Sequence, residues 1–221
     1  ALKETTIATL AALVVGAFAV AWPARRRGTK LAALARPAWP GGRVAALGAS
    51  SALLLLAWAY TSGFAHARGL VDFLRAFALW THTGVAGAGH TKPWWYYAML
   101  LGRYEMGLLV LAIAAAPLLW RGDSLARFCA TWFLALLAAY SVTPYKTPWL
   151  VINIALPLVL LATLAADHWL RRAPRVAAPV LAVLVAVQAV LAVRLSFVDY
   201  TDAREPMVYM QHTDAVRKLA A

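Results

Sequence analysis

Two lysines, each close to a proline, are the residues of this sequence whose type and spacing could do chemistry. Lys92 lies in HTKPWWYY, residues 90–97, directly before Pro93, and Lys146 lies between two prolines in TPYKTPWL, residues 143–150. Proline is favoured in the first turn of a helix, so each lysine lies at the predicted start of a helix. A cation there is disfavoured by about 0.3 to 1 kcal/mol unless something negative is also present. Helix-start N–H groups with an added lysine therefore predict binding of a phosphate or diphosphate.

The elements that position these lysines are predicted to be membrane-spanning helices. Apolar residues form 63% of the chain and charged residues only 14%, too few for the surface of a soluble protein. Several apolar stretches approach the roughly 20 residues that cross a bilayer, with aromatic residues near their ends. The sequence thus predicts an all-α, polytopic integral membrane protein with about six transmembrane helices. These are residues 6–22, 44–60, 104–120, 128–140, 149–166 and 176–193.

The distribution of charge predicts which connections face the cytoplasm. Basic residues crowd the first, third and fifth connections, and basic connections stay on the cytoplasmic side. The other connections hold most of the acidic residues, so both lysine motifs and both chain ends are predicted to be extracytoplasmic. The expected location is a prokaryotic cytoplasmic (inner) membrane, crossed several times. Topology also explains the net charge of +12, and no nucleic-acid partner is predicted.

Two segments outside the spans have recognisable patterns. Over residues 64–80, apolar residues recur at helical spacing opposite charged ones, which predicts an amphipathic helix in the outer interface. After Pro93, the run WWYYAMLLGRYE predicts a short interfacial helix that breaks near Gly102. We divide the chain into a partial transmembrane domain, residues 1–195, and the start of an extracytoplasmic segment, residues 196–221. Its opening ALKETT and its ending VRKLAA are interpreted as cuts in a longer protein.

The two lysine motifs share the predicted outer side of the membrane, which allows a common site. His90, Arg103 and Glu105 lie near them in sequence or depth. In a bilayer interface the obvious anion is the phosphate of a lipid carrier, whose tail would lie between the spans. The alternative for each lysine is that its side chain only reaches toward headgroup phosphates, as any interfacial lysine can. Arg103 and Glu105 could also be structural ion-pair partners of each other or of neighbouring spans, because intramembrane charges are usually paired.

Three other kinds of function are disfavoured. Residues 81–92, THTGVAGAGHTK, have the glycine spacing of a P-loop, but His90 stands where that loop needs lysine and no strand precedes it. No second ligand accompanies His90 at a metal-binding spacing, so the chain shows no identifiable metal or other cofactor site. A secondary transporter is disfavoured because the sequence has no repeat and no paired broken helices.

Several stretches taken together resemble one known family. The stretches are HTKPWWYY, RYE at 103–105, YS at 140–141, TPYKTPWLVIN at 143–153, KET at 3–5 and REPMVYMQHT at 204–213. They are similar to the C-terminal membrane half of polytopic proteins described as flippase-activity-associated. Those proteins are relatives of the protein O-mannosyltransferases and aminoarabinose transferases of the GT-C glycosyltransferase superfamily. PYKTPW is the most specific of the shared stretches.

The resemblance implies a mannosyltransferase-like enzyme that takes a sugar from a polyprenyl-phosphate donor at the outer membrane face, as in protein glycosylation. It places the catalytic acid or base in a first outer loop upstream of this chain, so the catalytic residue is unknown here. The resemblance leaves open whether the full-length parent binds a divalent metal. Chemically, a carboxylate activates the acceptor while cations stabilise the departing lipid phosphate. By matching motifs, the cavity would be lined by His90, Lys92, Tyr97, Tyr145 and Lys146, with Arg103 and Glu105 as supporting charges.

An alternative function belongs to a different class. A non-catalytic membrane protein that binds lipid-linked oligosaccharide, or assists its translocation, would need the same outer cations. Only the enzyme would need an acidic first outer loop. The expected partners in both cases are a polyprenyl-phosphate-linked sugar and membrane lipids. The sugar, the acceptor and the oligomeric state do not follow from the sequence.

Overall fold

The computed structural model describes residues 2–26, 42–72, 75, 91–202 and 204–208. Within these residues the regular structure is helical, apart from one isolated β-bridge. The helices are α1 Leu2–Arg26, α2 Gly42–Tyr60, α3 Tyr96–Tyr104, α4 Met106–Ala114, α5 Ala116–Trp120, α6 Ser124–Val142, α7 Val151–Arg172 and α8 Pro174–Val193. A 3₁₀ turn, Pro148–Leu150, leads into α7, and a π-helical turn, Arg194–Val198, follows α8. The all-α class is confirmed for the described residues.

Helices lie at all six predicted span positions, but among the described residues only three are long and apolar enough to cross a membrane individually. They are Ser124–Val142, Pro148–Arg172 and Pro174–Val198. α3 and the α4–α5 pair qualify together but meet at an angle of 93°, so they add a fourth crossing if they form one broken span. The apolar parts of α1 and α2, Ala8–Ala24 and Ala46–Tyr60, are shorter. Six crossings and their orientation therefore stay a prediction.

The core is built around α6, which packs against α1 on one side and α7 on another. Trp132, Leu136 and Tyr140 recur every four residues, which places them on one buried face of α6. Lipid is as apolar as these side chains, so helices in a membrane associate through close packing rather than through exclusion of water. Gly16 of α1 illustrates this packing: a Cβ there would lie 3.0 Å from the ring of Phe128.

The connections at one end of the bundle are fixed by ordinary helix-end chemistry. Asp123 caps α6 by accepting a 2.8 Å hydrogen bond from the N–H of Ala126. Arg171 and Arg172 occupy the last turn of α7, where cations complement the helix dipole, and Pro174 starts α8. α6 thus runs away from this end, and α7 returns to it. The segment 143–150 between them lies at the opposite end.

The segment after α2 differs from the predicted amphipathic helix over residues 64–80. Ser62 and Phe64 have φ values of 52° and 69°, so the chain passes through a left-handed turn after α2. Among the described residues, helix resumes at residues 68–72 and at residue 75. The remaining residues of the predicted helix lie outside the described part of the chain.

The break predicted near Gly102 lies at Glu105 instead. Gly102 stays inside α3, whereas Glu105 leaves the helical region with φ −122° and ψ 28°. Gln188 of α8 donates its side-chain N–H to the carbonyl of Tyr104 and, over 3.0 Å, to the carboxylate of Glu105. A neighbouring helix that bonds to backbone groups at a bend stabilises it, so a tertiary contact rather than glycine sets the position of this break.

Candidate functional site

The structure brings the two lysine motifs together at one end of the bundle. Thr91 and Tyr145 form the isolated antiparallel bridge, and the backbone N–H of Lys92 donates to the carbonyl of Pro144 over 3.4 Å. The flanking prolines limit this pairing to a short stretch, because proline has no N–H to donate. We call this region, made of Thr91, Lys92, residues 144–147 and the Tyr97 side chain, the lysine junction.

Tyr97 is the second link across the lysine junction. Its side chain is fully buried, and its hydroxyl donates to the carbonyl of Thr147 over 3.2 Å and lies 3.3 Å from the Thr147 N–H, which can donate to it. The ring also packs against Tyr140, with centroids 5.8 Å apart. Buried tyrosine hydroxyls usually need such a partner. Tyr97 therefore fixes the backbone directly after Lys146 from inside the protein.

Lys146 is the buried cation of the lysine junction. Only 2% of its surface is exposed, and its Nζ donates to the carbonyl of Thr143. Among the described residues, no carboxylate lies within ion-pair distance of Lys146. Burial lowers the pKa of Lys146, because desolvation disfavours the charged form. An ammonium has three donors, so a bound anion would be a natural further partner for this group.

The two predicted helix starts differ in detail. Pro148 begins the 3₁₀ turn directly after Thr147, whose side chain caps no N–H in the described structure. The N–H of Leu150 bonds to the Thr147 carbonyl over 3.2 Å, so this tight turn already uses one of its donors. α3 begins only at Tyr96, and the exposed Lys92 lies outside its first turn. The predicted anion site would therefore depend on the lysine side chains more than on free helix ends.

Arg103 and Glu105 do not pair with each other. Arg103 forms a 3.0 Å ion pair through Nη2 with Glu205, in the segment that follows α8. Glu105 instead accepts the hydrogen bond from Gln188. Both charges thus have structural partners in neighbouring parts of the chain, as the ion-pair interpretation of the sequence allowed.

The remaining predicted residues are Tyr145 and His90. Tyr145 is half-buried and takes part in the bridge of the lysine junction. His90 lies outside the described residues. Whether the predicted set binds substrate stays a prediction.

The structure adds a second polar region that the sequence did not single out. A cavity of about 220 Å³ lies where the ends of α3 and α8 meet the segment after them. We call it the acidic cavity; its polar lining is Arg103, Tyr104, Arg194, Asp199, Asp202 and Glu205. The sequence signals were Arg103, predicted as a supporting charge, and Glu205, which belongs to REPMVYMQHT, a stretch that resembles a family segment. Its pairing with Arg103 joins residues 102 positions apart, which local patterns do not predict.

Comparison with known proteins gives one distant relative. The chain is 31% identical over 105 residues to undecaprenyl phosphate-alpha-4-amino-4-deoxy-L-arabinose arabinosyl transferase 1 of Pseudomonas fluorescens (strain Pf0-1). The match covers 45% of this chain and 18% of that transferase, so the chain spans less than a fifth of the relative. No family model and no solved structure matches. The match supports a distant GT-C-like glycosyltransferase relationship, while the flippase-associated resemblance stays a prediction.

Proposed function

We propose that this chain is part of a GT-C-like membrane glycosyltransferase that uses a polyprenyl-phosphate-linked sugar donor at the outer membrane face. In this proposal the lysine junction holds the lipid phosphate. The observation that carries it is Lys146, a cation 2% exposed that has no acidic partner among the described residues. The name of the distant relative, a transferase of undecaprenyl phosphate-linked aminoarabinose, supports the same donor class.

A buried ammonium can stabilise the lipid phosphate that leaves in such a reaction. Transfer of the sugar leaves negative charge on the lipid phosphate, and a preorganised donor aimed at that charge lowers the barrier. The bond between Tyr97 and Thr147 holds the lysine junction in place before substrate arrives. The low dielectric around a buried group strengthens its attraction for the phosphate.

Lys92 supplies a second cation to the same region. Its backbone is tied to Pro144, two residues before Lys146, while its side chain is exposed. In our proposal Lys92 assists entry of the anion and Lys146 binds it. The acceptor-activating carboxylate is assigned to a part of the parent protein outside this chain, as the family resemblance implies.

The test is sugar transfer by the full-length parent protein from a radiolabelled polyprenyl-phosphate sugar. We expect Lys146→Gln to lower the transfer rate by about 100-fold, the usual size of losing one charge-stabilising donor. The matched control is Arg172→Gln, which removes an exposed cation at the opposite end of α7. Equal effects of the two substitutions would refute the phosphate site.

The same experiment, together with a measurement of lipid binding by the parent protein, separates the enzyme from the binding protein. A parent protein that binds the lipid through Lys146 but transfers sugar to no acceptor in a broad panel would be a carrier-binding or translocation-assisting protein. A parent protein that transfers sugar, and loses transfer with Lys146→Gln, is the proposed enzyme.

A further inference from the structure

The acidic cavity carries the opposite charge from the lysine junction. Arg194 pairs with Asp199 over 2.7 Å, and Arg103 pairs with Glu205 over 3.0 Å. Asp202 is the remaining charged group of the lining, and its carboxylate accepts a backbone N–H from Arg204 over 2.9 Å. Three carboxylates therefore face two guanidinium groups. This excess of negative charge disfavours a phosphate.

Two residues that line the acidic cavity each have a buried polar atom with no hydrogen-bond partner among the described residues. Glu205 is 8% exposed, and its Oε2 binds Arg103, but its Oε1 has no hydrogen-bond partner among the described residues. The hydroxyl of Tyr104 is likewise buried and unbonded in the described part of the chain. Buried polar atoms are nearly always hydrogen-bonded, so two exceptions on residues that line one cavity point to a ligand that completes them. A carboxylate oxygen needs a donor, and a phenol can donate or accept.

The acidic cavity lies along α3 from the lysine junction. Tyr97 and Tyr104 are seven residues apart, which places them on nearly the same face of α3. Two helical turns separate them, or about 10.5 Å along the axis. Tyr97 supports the cation end of the site, and Tyr104 lines the acidic end. One elongated ligand could therefore contact both regions.

We propose that the acidic cavity binds the hydrogen-bond-donating face of the sugar on the lipid-linked donor. The inference rests on the proposed function, because it places the lipid phosphate at Lys146. Glu205 Oε1 accepts an O–H or N–H of the sugar, and the Tyr104 hydroxyl completes the same contact. A neutral sugar supplies hydroxyl groups and an amino sugar supplies an ammonium, and both have the donor chemistry that the cavity requires.

The test measures binding of two probes to the full-length parent protein: a polyprenyl phosphate, and the same lipid carrying glucose. We expect Tyr104→Phe and Glu205→Gln each to weaken binding of the glucose-bearing lipid by about tenfold, because each loses about one hydrogen bond to a charged or buried group. Binding of the sugar-free lipid should be unchanged. Tyr60→Phe is the matched control, since it removes a phenolic hydroxyl from α2 that does not line the cavity. Lys146→Gln should weaken binding of both lipids by the same factor.

The outcomes separate this inference from the proposed function. If Tyr104→Phe weakens binding of the sugar-free lipid as much as binding of the sugar-bearing lipids, or weakens binding of no sugar-bearing lipid, whether neutral or amino sugar, the sugar site is refuted. If Lys146→Gln leaves the sugar-free lipid unaffected, the phosphate site is refuted, whatever Tyr104→Phe does. Should Glu205→Gln fail to fold after losing part of its pair with Arg103, Tyr104→Phe decides the matter alone.

A third probe, the same lipid carrying an amino sugar, identifies the donor group. If Tyr104→Phe and Glu205→Gln weaken binding of both sugar-bearing lipids, sugar hydroxyl groups are the donors to Glu205. If these substitutions weaken binding of the amino-sugar lipid alone, the ammonium group of that sugar is the donor to Glu205. Both results support the cavity as a sugar site.

Discussion

The lysine junction and the acidic cavity lie about two helical turns apart along α3 and carry opposite charge. The lysine junction buries one cation, Lys146, against a backbone carbonyl. The acidic cavity gathers three carboxylates around two guanidinium groups and leaves Glu205 Oε1 unbonded among the described residues. Neighbouring sites of opposite charge suit a ligand with an anionic end and a hydrogen-bond-donating end. A phosphate-linked sugar is such a ligand.

The largest expected effect compares the buried lysine with the exposed one. We expect Lys146→Gln to weaken binding of a polyprenyl phosphate by about 100-fold, because removing one partner of a buried charge contact costs several kcal/mol. Lys92→Gln should weaken it by less than about fivefold, since exposed ion pairs contribute up to about 1 kcal/mol. Binding of the labelled lipid to the parent protein measures both. A greater loss for Lys92→Gln would reverse the roles given to the two lysines.

A second prediction compares the two tyrosines on the same face of α3. Tyr97→Phe should lower the free energy of unfolding by about 1 to 3 kcal/mol, because the buried backbone groups of Thr147 lose their partner. Tyr104→Phe should be neutral or slightly stabilising, because it deletes a buried hydroxyl that has no partner in the described structure. Unfolding of the parent protein in detergent gives both values. Equal destabilisation would mean that the Tyr104 hydroxyl has a structural partner.

A third prediction concerns the bend between the two regions. Gln188→Leu should lower the free energy of unfolding by about 1 to 2 kcal/mol, because the Tyr104 carbonyl and the Glu105 carboxylate lose a donor. Thr163→Val is the control, since the exposed Thr163 hydroxyl donates within its own helix, to the Val159 carbonyl over 2.9 Å. Thermal unfolding measures both. Similar small losses would show that Gln188 does not hold the bend.

The smallest expected effect is a pH dependence of the lysine junction. Burial lowers the pKa of Lys146, so the unfolded chain binds more protons than the folded one between the lowered pKa and the ordinary lysine value of about 10.4. The free energy of unfolding should therefore rise with pH across this window. Phosphate affinity should fall across the same window, because the phosphate needs the protonated amine. Lys146→Gln should abolish both trends, and their persistence would assign them to another group.

Local patterns in the sequence predicted much of this arrangement. Apolar length located helices at six positions, and proline marked the turn that starts at Pro148. The shared side of the two lysine motifs agrees with the bridge between Thr91 and Tyr145. These signals work because helix starts, helix ends and apolar length depend on neighbouring residues in the chain.

Tertiary contacts account for what the sequence did not reveal. Gly102 was the local candidate for the break, but Gln188 from α8 sets it at Glu105. The burial of Lys146 and the contact between Tyr97 and Thr147 arise from packing between α3 and the turn before α7. Glu205 gave only a weak local signal, because its role depends on a segment that folds back onto Arg103.

The measurement that tests the central claim most directly is a structure of the full-length parent protein with a polyprenyl phosphate bound, determined by electron cryo-microscopy. We expect a phosphate oxygen at about 2.7 to 2.9 Å from the Nζ of Lys146, the usual length of a charge-assisted hydrogen bond. A bound lipid whose phosphate lies elsewhere, with Lys146 still bonded only to the Thr143 carbonyl, would contradict the account.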